Sequence, residues 1–546
     1  MDPKINRPFL AKYEFIIPLA LFVAFLALTL PGISWGAPSN WHPDEIVIRV
    51  IKALHGEWKF SELNFDYPDL PQYVMFWLGK VVLRLGYTDK EVLITSRVLS
   101  AVLAGLTIVL VYLITRRAGG SSYVAGLSGL FLPCVSEMEH NGRFAHNDMY
   151  LTFFAALAVL FLVNYSKTGH TGWLYATFMS VGFAASSKYN GISLVLAPVL
   201  LYLLHTRQNI FKQTLEILKT LFIGGALTVL AFGAGTPKAL LEPTYYFNHM
   251  IPALLHTGNY NRQPGSIRGI LGQYAVLADG LGMALFILFG LGFVWACYQV
   301  ITSTRHFLSK DGDSNTEFLV IMLSAVVALD VPVMLSYNYP IRFFSAMMPM
   351  LAILGAFMVE FFQTHARQYA NVYPKLIGAV VVFVVLISLA RITSVMLLFI
   401  NDSRFPASEY VQTLPAKASL EYTLYPPTIP YKYFRRSYNY PIYFVKVSGD
   451  PIPTSNRYVF NMGEAGINQR KTRYLVVDSF TADKFNNPYT CAQMQAECDF
   501  FKQLATGRSK YYKLIAEFSY SLPAFLPQLE VTFVNPTIRI YERAND

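Results

Sequence analysis

The chain has 546 residues, of which 54% are hydrophobic and 14% charged. A soluble protein of this length carries charge on about a quarter of its residues, so a large water-soluble globule is excluded. The formal net charge of +10 comes without a basic-aromatic patch or nucleic-acid-binding motif, which argues against a nucleic-acid partner. Lys and Arg gather instead between apolar runs, the pattern of cytoplasmic loops in membrane proteins.

The first apolar run, about 14–34, follows Lys4, Arg7 and Lys12 and is not followed by a small-residue cleavage site. It reads as a retained signal-anchor helix with a cytoplasmic N-terminus. Residues 36–90 are polar and read as a first extracytoplasmic loop that starts near Trp41-His42-Pro43-Asp44-Glu45. Within it, 45–55 and 72–85 have the periodicity of short surface or interfacial helices.

Further apolar runs follow at about 92–115, 121–136, 149–165, 173–187, 192–205, 218–235, 274–302, 317–336, 344–362 and 376–399. Most approach or exceed the length of a membrane-crossing helix, and the one at 121–136 is short. The expected fold is a polytopic α-helical membrane protein of about eleven transmembrane helices over 1–400, with a C-terminal extracytoplasmic α/β or β-rich domain over 401–546. An odd number of crossings places Arg116, Arg117, Lys167, Arg207, Arg305 and Arg367 in the cytoplasm. It places Asp44, Asp148, Lys188 and Arg342 together on the opposite face. In 401–546, Arg473–Val477 and Leu529–Ile540 read as strands. Cys491 and Cys498 are close enough in sequence to be a disulfide candidate in an oxidising compartment. Cys134 and Cys297 lie in apolar runs and read as packing residues.

Adjacent carboxylates at a membrane border are costly unless water, a partner or a substrate uses them. Asp44 reads as a general base, since a positioned carboxylate can take a proton from a hydroxyl; it can equally cap the helix that follows. Glu45 reads as support for the loop. Arg143, His146 and Asp148 form a second polar wall, with Asp148 orienting an acceptor, a cation or Arg143, or starting the next helix. Lys188 and Arg342 are cations on the face where positive charge is disfavoured, and they suit a phosphate; Lys188 can also simply snorkel to the interface. His42, Asp148, His249 and His256 are weak candidates for a divalent-metal site, because their spacing matches no strong metal motif. There is no phosphate-cradling Gly-Lys-Ser/Thr loop and no dinucleotide fingerprint.

Taken together, His42-Pro43-Asp44-Glu45, Tyr67-Pro68-Asp69-Leu70-Pro71, Arg143 to Asp148, Ser187-Lys188-Tyr189-Asn190-Gly191 and Tyr339-Pro340-Ile341-Arg342-Phe343-Phe344 resemble the GT-C membrane glycosyltransferases. The resemblance, over about residues 10–400, is to the protein O-mannosyltransferase and aminoarabinose-transferase-like superfamily. It implies an inverting hexosyl- or pentosyltransferase that moves a sugar from a polyprenyl-phosphate donor to a hydroxyl of a glycan, lipid or protein. Asp44 would match the catalytic aspartate of the first loop and Asp148 the acidic residue of the second. The turn at Tyr67 departs from the lysine-containing version of the aminoarabinose transferases. The implied setting is the bacterial inner membrane, with the site and the C-terminal domain outside the cytoplasm. The alternative reading is a transporter or flippase of lipid-linked or small polar substrates; internal repeats would favour it, and none is visible.

Overall fold

The structure is a computed structural model that describes residues 14–62, 65–207, 213–259, 267–307, 314–334, 340–415, 418–429, 472–493 and 495–544. It divides into two compact units, one of Met1–Ile33 and Asp44–Thr393, the other of Ser34–Pro43 and Ser394–Asp546.

The first unit is helical. It opens with α1 (Ile16–Thr29), then two short helices, α2 (Val47–Leu54) and α3 (Leu70–Arg84), where short surface helices are expected. Helix α4 (Asp89–Arg117) starts at a Thr88/Glu91 capping box, in which each side chain serves the other's backbone, and ends on Arg116 and Arg117. The acidic start and basic end both suit the helix dipole. Next come α5 (Ser122–Phe131), α6 (Ser136–Gly142), α7 (Asp148–Thr168) and α8 (Thr171–Ser187). A 3-10 segment, Tyr189–Val195, leads into α9 (Leu196–Thr206), α10 (Thr214–Gly235), α11 (Lys238–Leu241) and α12 (Pro243–Asn259). The unit continues with α13 (Ile267–Leu281), α14 (Met283–Phe307) and α15 (Ser314–Met334). A second 3-10 segment, Ile341–Met347, precedes α16 (Met348–Ala366), and α17 spans Val372–Ile400.

Among the described residues, eight helical stretches are long and apolar enough to cross a membrane, and α1 and α5 are shorter apolar helices. The chain is a multi-pass integral membrane protein. Each apolar run read from the sequence contains a helix, though the runs at 14–34 and 121–136 extend past Ile16–Thr29 and Ser122–Phe131. The run at 274–302 is not one rod, however: Gly282 adopts φ +78 and separates α13 from α14. The Arg391 side chain lies against Gly282, where an added Cβ would sit 2.8 Å from it. The core gathers α4, α7, α8 and α16, and 83% of the most apolar window of the Ile341–Ala366 stretch is buried. Exposed Leu215, Phe222 and Ile301 form the lipid-facing surface expected of helices in a bilayer.

The second unit carries α18 (Arg404–Thr413), β1 (Leu420–Tyr422), β2 (Tyr474–Asp478), α19 (Ser479–Ala482), α20 (Pro488–Gln493), α21 (Gln495–Ala505), β3 (Tyr512–Phe518) and β4 (Ile538–Arg543). The sheet order is β1-β2-β4-β3, with β1 parallel to β2 and the other pairs antiparallel. Alternation along β2 sends Tyr474 and Val476 into one apolar cluster and Leu475 and Val477 into another, as a strand covered on both faces requires. The stretch Leu529–Ile540 becomes a strand only from Ile538. Positive φ at Phe533 and Asn535 keeps the preceding residues out of a ladder. Cys491 and Cys498 are joined by a disulfide. Residues 34–43 pack within this unit: buried Trp35 donates Nε1 to Asp402 at 2.9 Å, and the Arg404 guanidinium lies 4.8 Å from the Trp35 ring and 4.4 Å from the Trp41 ring.

Candidate active site

The Asp44–Glu45 loop is fixed by its second residue. Arg97 donates Nε and Nη2 to the two Glu45 carboxylate oxygens at 2.8 and 2.7 Å, and both side chains are at most 1% exposed. Arg97 is the single charge in α4 between Glu91 and Arg116. The same Glu45 accepts the Ala145 N–H at 2.9 Å, while Ile46 N donates to the Ala145 carbonyl at 3.2 Å. One buried carboxylate thus ties the first loop both to a membrane helix and to the loop that leads to Asp148. Paired in this way, it is available for structure and not for proton transfer.

Asp148 is the first residue of α7, where a helix N-terminus favours an anion. Asn147 donates to the Ser187 carbonyl at 3.1 Å, holding the end of α8 beside the start of α7. After Lys188 the chain turns back along α8, with Gly191 directly against the Ala184 backbone; a Cβ there would fall 2.5 Å from the Ala184 carbonyl carbon. This close approach requires glycine. It delivers Lys188 Nζ to Asp148 Oδ1 at 2.7 Å, and the ammonium rests 3.9 Å from the Phe343 ring centroid. His146 Nδ1 donates to Asp148 Oδ2 at 2.8 Å. Burial pushes the His146 imidazole below its ordinary pKa, with Asp148 opposing; facing the carboxylate, Nδ1 is the nitrogen that carries a proton. Its Nε2 is buried and has no hydrogen-bond partner among the described residues.

Arg342 stands on the 3-10 segment before α16. Its Nη2 meets Asp44 Oδ2 at 2.9 Å, and the two side chains are 17% and 37% exposed, respectively. Arg342 Nε is buried without a hydrogen-bond partner among the described residues. Tyr67 packs edge-on against His146 at 5.3 Å, and the Arg49 guanidinium lies 5.8 Å from the Tyr67 ring. Burial raises the Tyr67 phenol to about 12, which leaves it a hydrogen-bond donor; Arg342 opposes this shift and Asp44 and Asp148 add to it. Behind Tyr67, buried Asp69 accepts from Ser61 Oγ and, at 3.2 Å, from Gln72 Nε2, and burial raises its carboxyl to about 6.

The structure therefore brings Asp44, His146, Asp148, Lys188 and Arg342 into one cluster and places Glu45 beneath it. It does not bring Arg143 there. Arg143 pairs with Glu139 and donates to the Leu28 and Pro31 carbonyls at 2.7 and 3.3 Å, closing the end of α1, and burial lowers its pKa to about 9. Among the described residues, no three His, Cys, Asp or Glu side chains are grouped to hold a metal. His42 packs on Phe533 in the second unit, and His249 stacks on Phe65 and donates Nδ1 to the Tyr245 carbonyl at 2.8 Å. The His256 side chain and Tyr337 to Tyr339 lie outside the described residues. Arg97, Arg49 and the role of Tyr67 escape a reading by motif. A lone arginine inside an apolar helix is the signal that points to Arg97.

A family model described as dolichyl-phosphate-mannose-protein mannosyltransferase matches residues 82–233. That segment contains Arg97, Asp148 and Lys188 but neither Asp44 nor Arg342. Comparison with curated proteins gives no match. Among solved structures, the Archaeoglobus fulgidus oligosaccharyltransferase is 12% identical, with 99% of this chain and 75% of that chain covered at a TM-score of 0.50. ArnT from Cupriavidus metallidurans in the apo state is 15% identical, with 95% and 97% covered and a TM-score of 0.50. Similarity at these identities concerns the fold, and it extends over nearly the whole chain. A segment that matches a protein-mannosyltransferase family model thus lies inside a fold similar to those of an archaeal oligosaccharyltransferase and of ArnT.

Proposed function

We propose that this protein is an inverting glycosyltransferase that moves a hexosyl or pentosyl group from a polyprenyl-phosphate donor to an acceptor hydroxyl on the extracytoplasmic face of the membrane. The observation that carries the reading is the cluster itself: a half-exposed carboxylate, Asp44, beside two cations, Lys188 and Arg342, at one end of an apolar helical bundle. The family model supports a lipid-phosphate donor through its own description.

Asp44 takes the proton of the acceptor hydroxyl as its oxygen attacks the anomeric carbon. The bond from that carbon to the phosphate oxygen breaks, and the phosphate leaves with the electron pair. Arg342 and Lys188 hold the charge that accumulates on it. Asp148 and His146 keep Lys188 in place. Tyr67 supplies a neutral O–H at the same wall. The soluble unit, residues 401–546 in this reading, lies outside the cytoplasm with the site, and the acceptor is a glycan, lipid or protein. No step is assigned to a metal.

The test is transfer of radiolabelled sugar from polyprenyl-phosphate sugars by the purified chain in lipid nanodiscs. Wild type is expected to form a glycosidic product, and Asp44→Asn, folded to the same extent, to form none. Unchanged turnover by Asp44→Asn removes Asp44 as the base. Movement of lipid-linked substrate across proteoliposomes with no glycosidic product replaces the transferase by a flippase.

A further inference from the structure

A base that waits for an acceptor proton is expected to face the acceptor, yet Asp44 faces a cation. Its Oδ2 is 2.9 Å from Arg342 Nη2. The other charges around Asp44 have their own partners. Lys188 is bound to Asp148 at 2.7 Å, Asp148 also to His146, and Arg49 lies 3.9 Å from Asp66. Tyr67 completes the surroundings and is neutral. Arg342 has unused capacity: it is a planar fork of five N–H donors, and its Nε is buried with no hydrogen bond among the described residues.

A phosphate group satisfies a guanidinium fork better than one carboxylate oxygen does, because it offers several acceptor oxygens to parallel donors. Taking up two Arg342 donors, Nε included, turns the guanidinium toward the phosphate and away from Asp44. The carboxylate is released from Arg342, in the half-exposed position where a hydroxyl can reach it. We infer that the Asp44–Arg342 ion pair is a latch which the donor's phosphate opens, so that the donor must bind before the acceptor hydroxyl can engage Asp44. The inference rests on the reading of Arg342 as a donor-phosphate ligand and adds to it an order of binding and an alternative partner for the same side chain.

The latch makes Asp44 a competitor of the phosphate. The test is a double-mutant cycle on binding of farnesyl phosphate to the full-length protein in nanodiscs, followed by isothermal titration and by phosphorus NMR. Asp44→Asn removes the competitor and is expected to tighten binding about fivefold, the worth of a partly exposed ion pair. Arg342→Gln is expected to weaken binding. The decisive variant is Asp44→Asn with Arg342→Gln: with no arginine to release, the fivefold gain disappears. Simple repulsion between Asp44 and phosphate gives the opposite result, a gain that survives in the Arg342→Gln background, and overturns the latch. An Asp44→Asn protein that binds no more tightly than wild type overturns it as well. Both outcomes leave the phosphate-donor reading standing, whereas failure of wild type to bind farnesyl phosphate at all sinks that reading and the latch with it. Arg342→Lys keeps the charge without the fork, and is expected to recover less than half of the binding lost in Arg342→Gln.

Discussion

Replacing Arg97 by Met isolates what the buried pair under the site contributes. Arg97 and Glu45 exchange two charge-assisted hydrogen bonds at 2.7 and 2.8 Å and are at most 1% exposed. Met fills most of the arginine volume but leaves the Glu45 carboxylate buried with only the Ala145 N–H. Removing one member of a buried pair costs about 3–5 kcal/mol, whereas replacing both members by apolar residues is often close to neutral. Arg97→Met is therefore expected to lower stability by about 3–5 kcal/mol, and Arg97→Met with Glu45→Leu to restore most of it. Activity is expected to behave differently. In the double variant the tie between Glu45 and Ala145 is gone, so transfer stays low although the fold recovers. The assay is denaturant unfolding in detergent micelles followed by tryptophan fluorescence, beside sugar transfer in nanodiscs. An Arg97→Met protein with an unchanged unfolding midpoint refutes the reasoning, as does a double variant that regains full turnover.

Other expectations follow from neighbouring contacts. Asp44→Asn should lower transfer by about 10²–10⁴-fold, the usual worth of a positioned general base, while costing at most about 1 kcal/mol of stability, the worth of its partly exposed ion pair with Arg342. Asp148→Asn should weaken farnesyl phosphate binding although it removes a negative charge, because Lys188 loses the carboxylate that holds it at 2.7 Å; tighter binding by this variant contradicts that role. Asp69 has a folded-state carboxyl raised by burial from 3.8 to about 6. Its ionisation therefore opposes folding, by an amount that grows as pH rises from about 4 to about 6 and is then constant at about 3 kcal/mol. Asp69→Asn should remove this dependence, and stability curves for the two proteins that run parallel over that range count against it. Reducing the Cys491–Cys498 bridge, which closes a sequence separation of 7, should cost about 2.5 kcal/mol by loop entropy, measured as the unfolding midpoint with and without reductant.

Much of the helical architecture was legible because membrane helices announce themselves locally. Each needs only a run of apolar residues long enough to cross the bilayer, and the short helices at Val47–Leu54 and Leu70–Arg84 carry their own periodicity. The break at Gly282 was not legible, because a single glycine inside an apolar run is tolerated in most helices, and it is the tertiary approach of Arg391 that uses this one. The strand β2 was readable from its apolar content. β3 was not, since a bulge between Leu514 and Ala516 interrupts its alternation and leaves Lys513 to Ile515 exposed.

The sequence by itself determined that this is a membrane protein, which residues could be acid, base or phosphate ligand, and that Asp44, Asp148, Lys188 and Arg342 fall on one face if the crossings are counted. Partnership was decided only by tertiary structure. Arg97 reaches Glu45 across 52 residues, Glu45 reaches Ala145 across 100, and Trp35 reaches Asp402 across 367. The physical reason is that burying apolar surface depends on composition and period, which a sequence displays. An ion pair depends on which side chains the packed helices bring within about 3 Å of each other. That is why Arg143, beside His146 and Asp148 in sequence, pairs with Glu139 at the end of α1, while Arg342, far along the chain, pairs with Asp44.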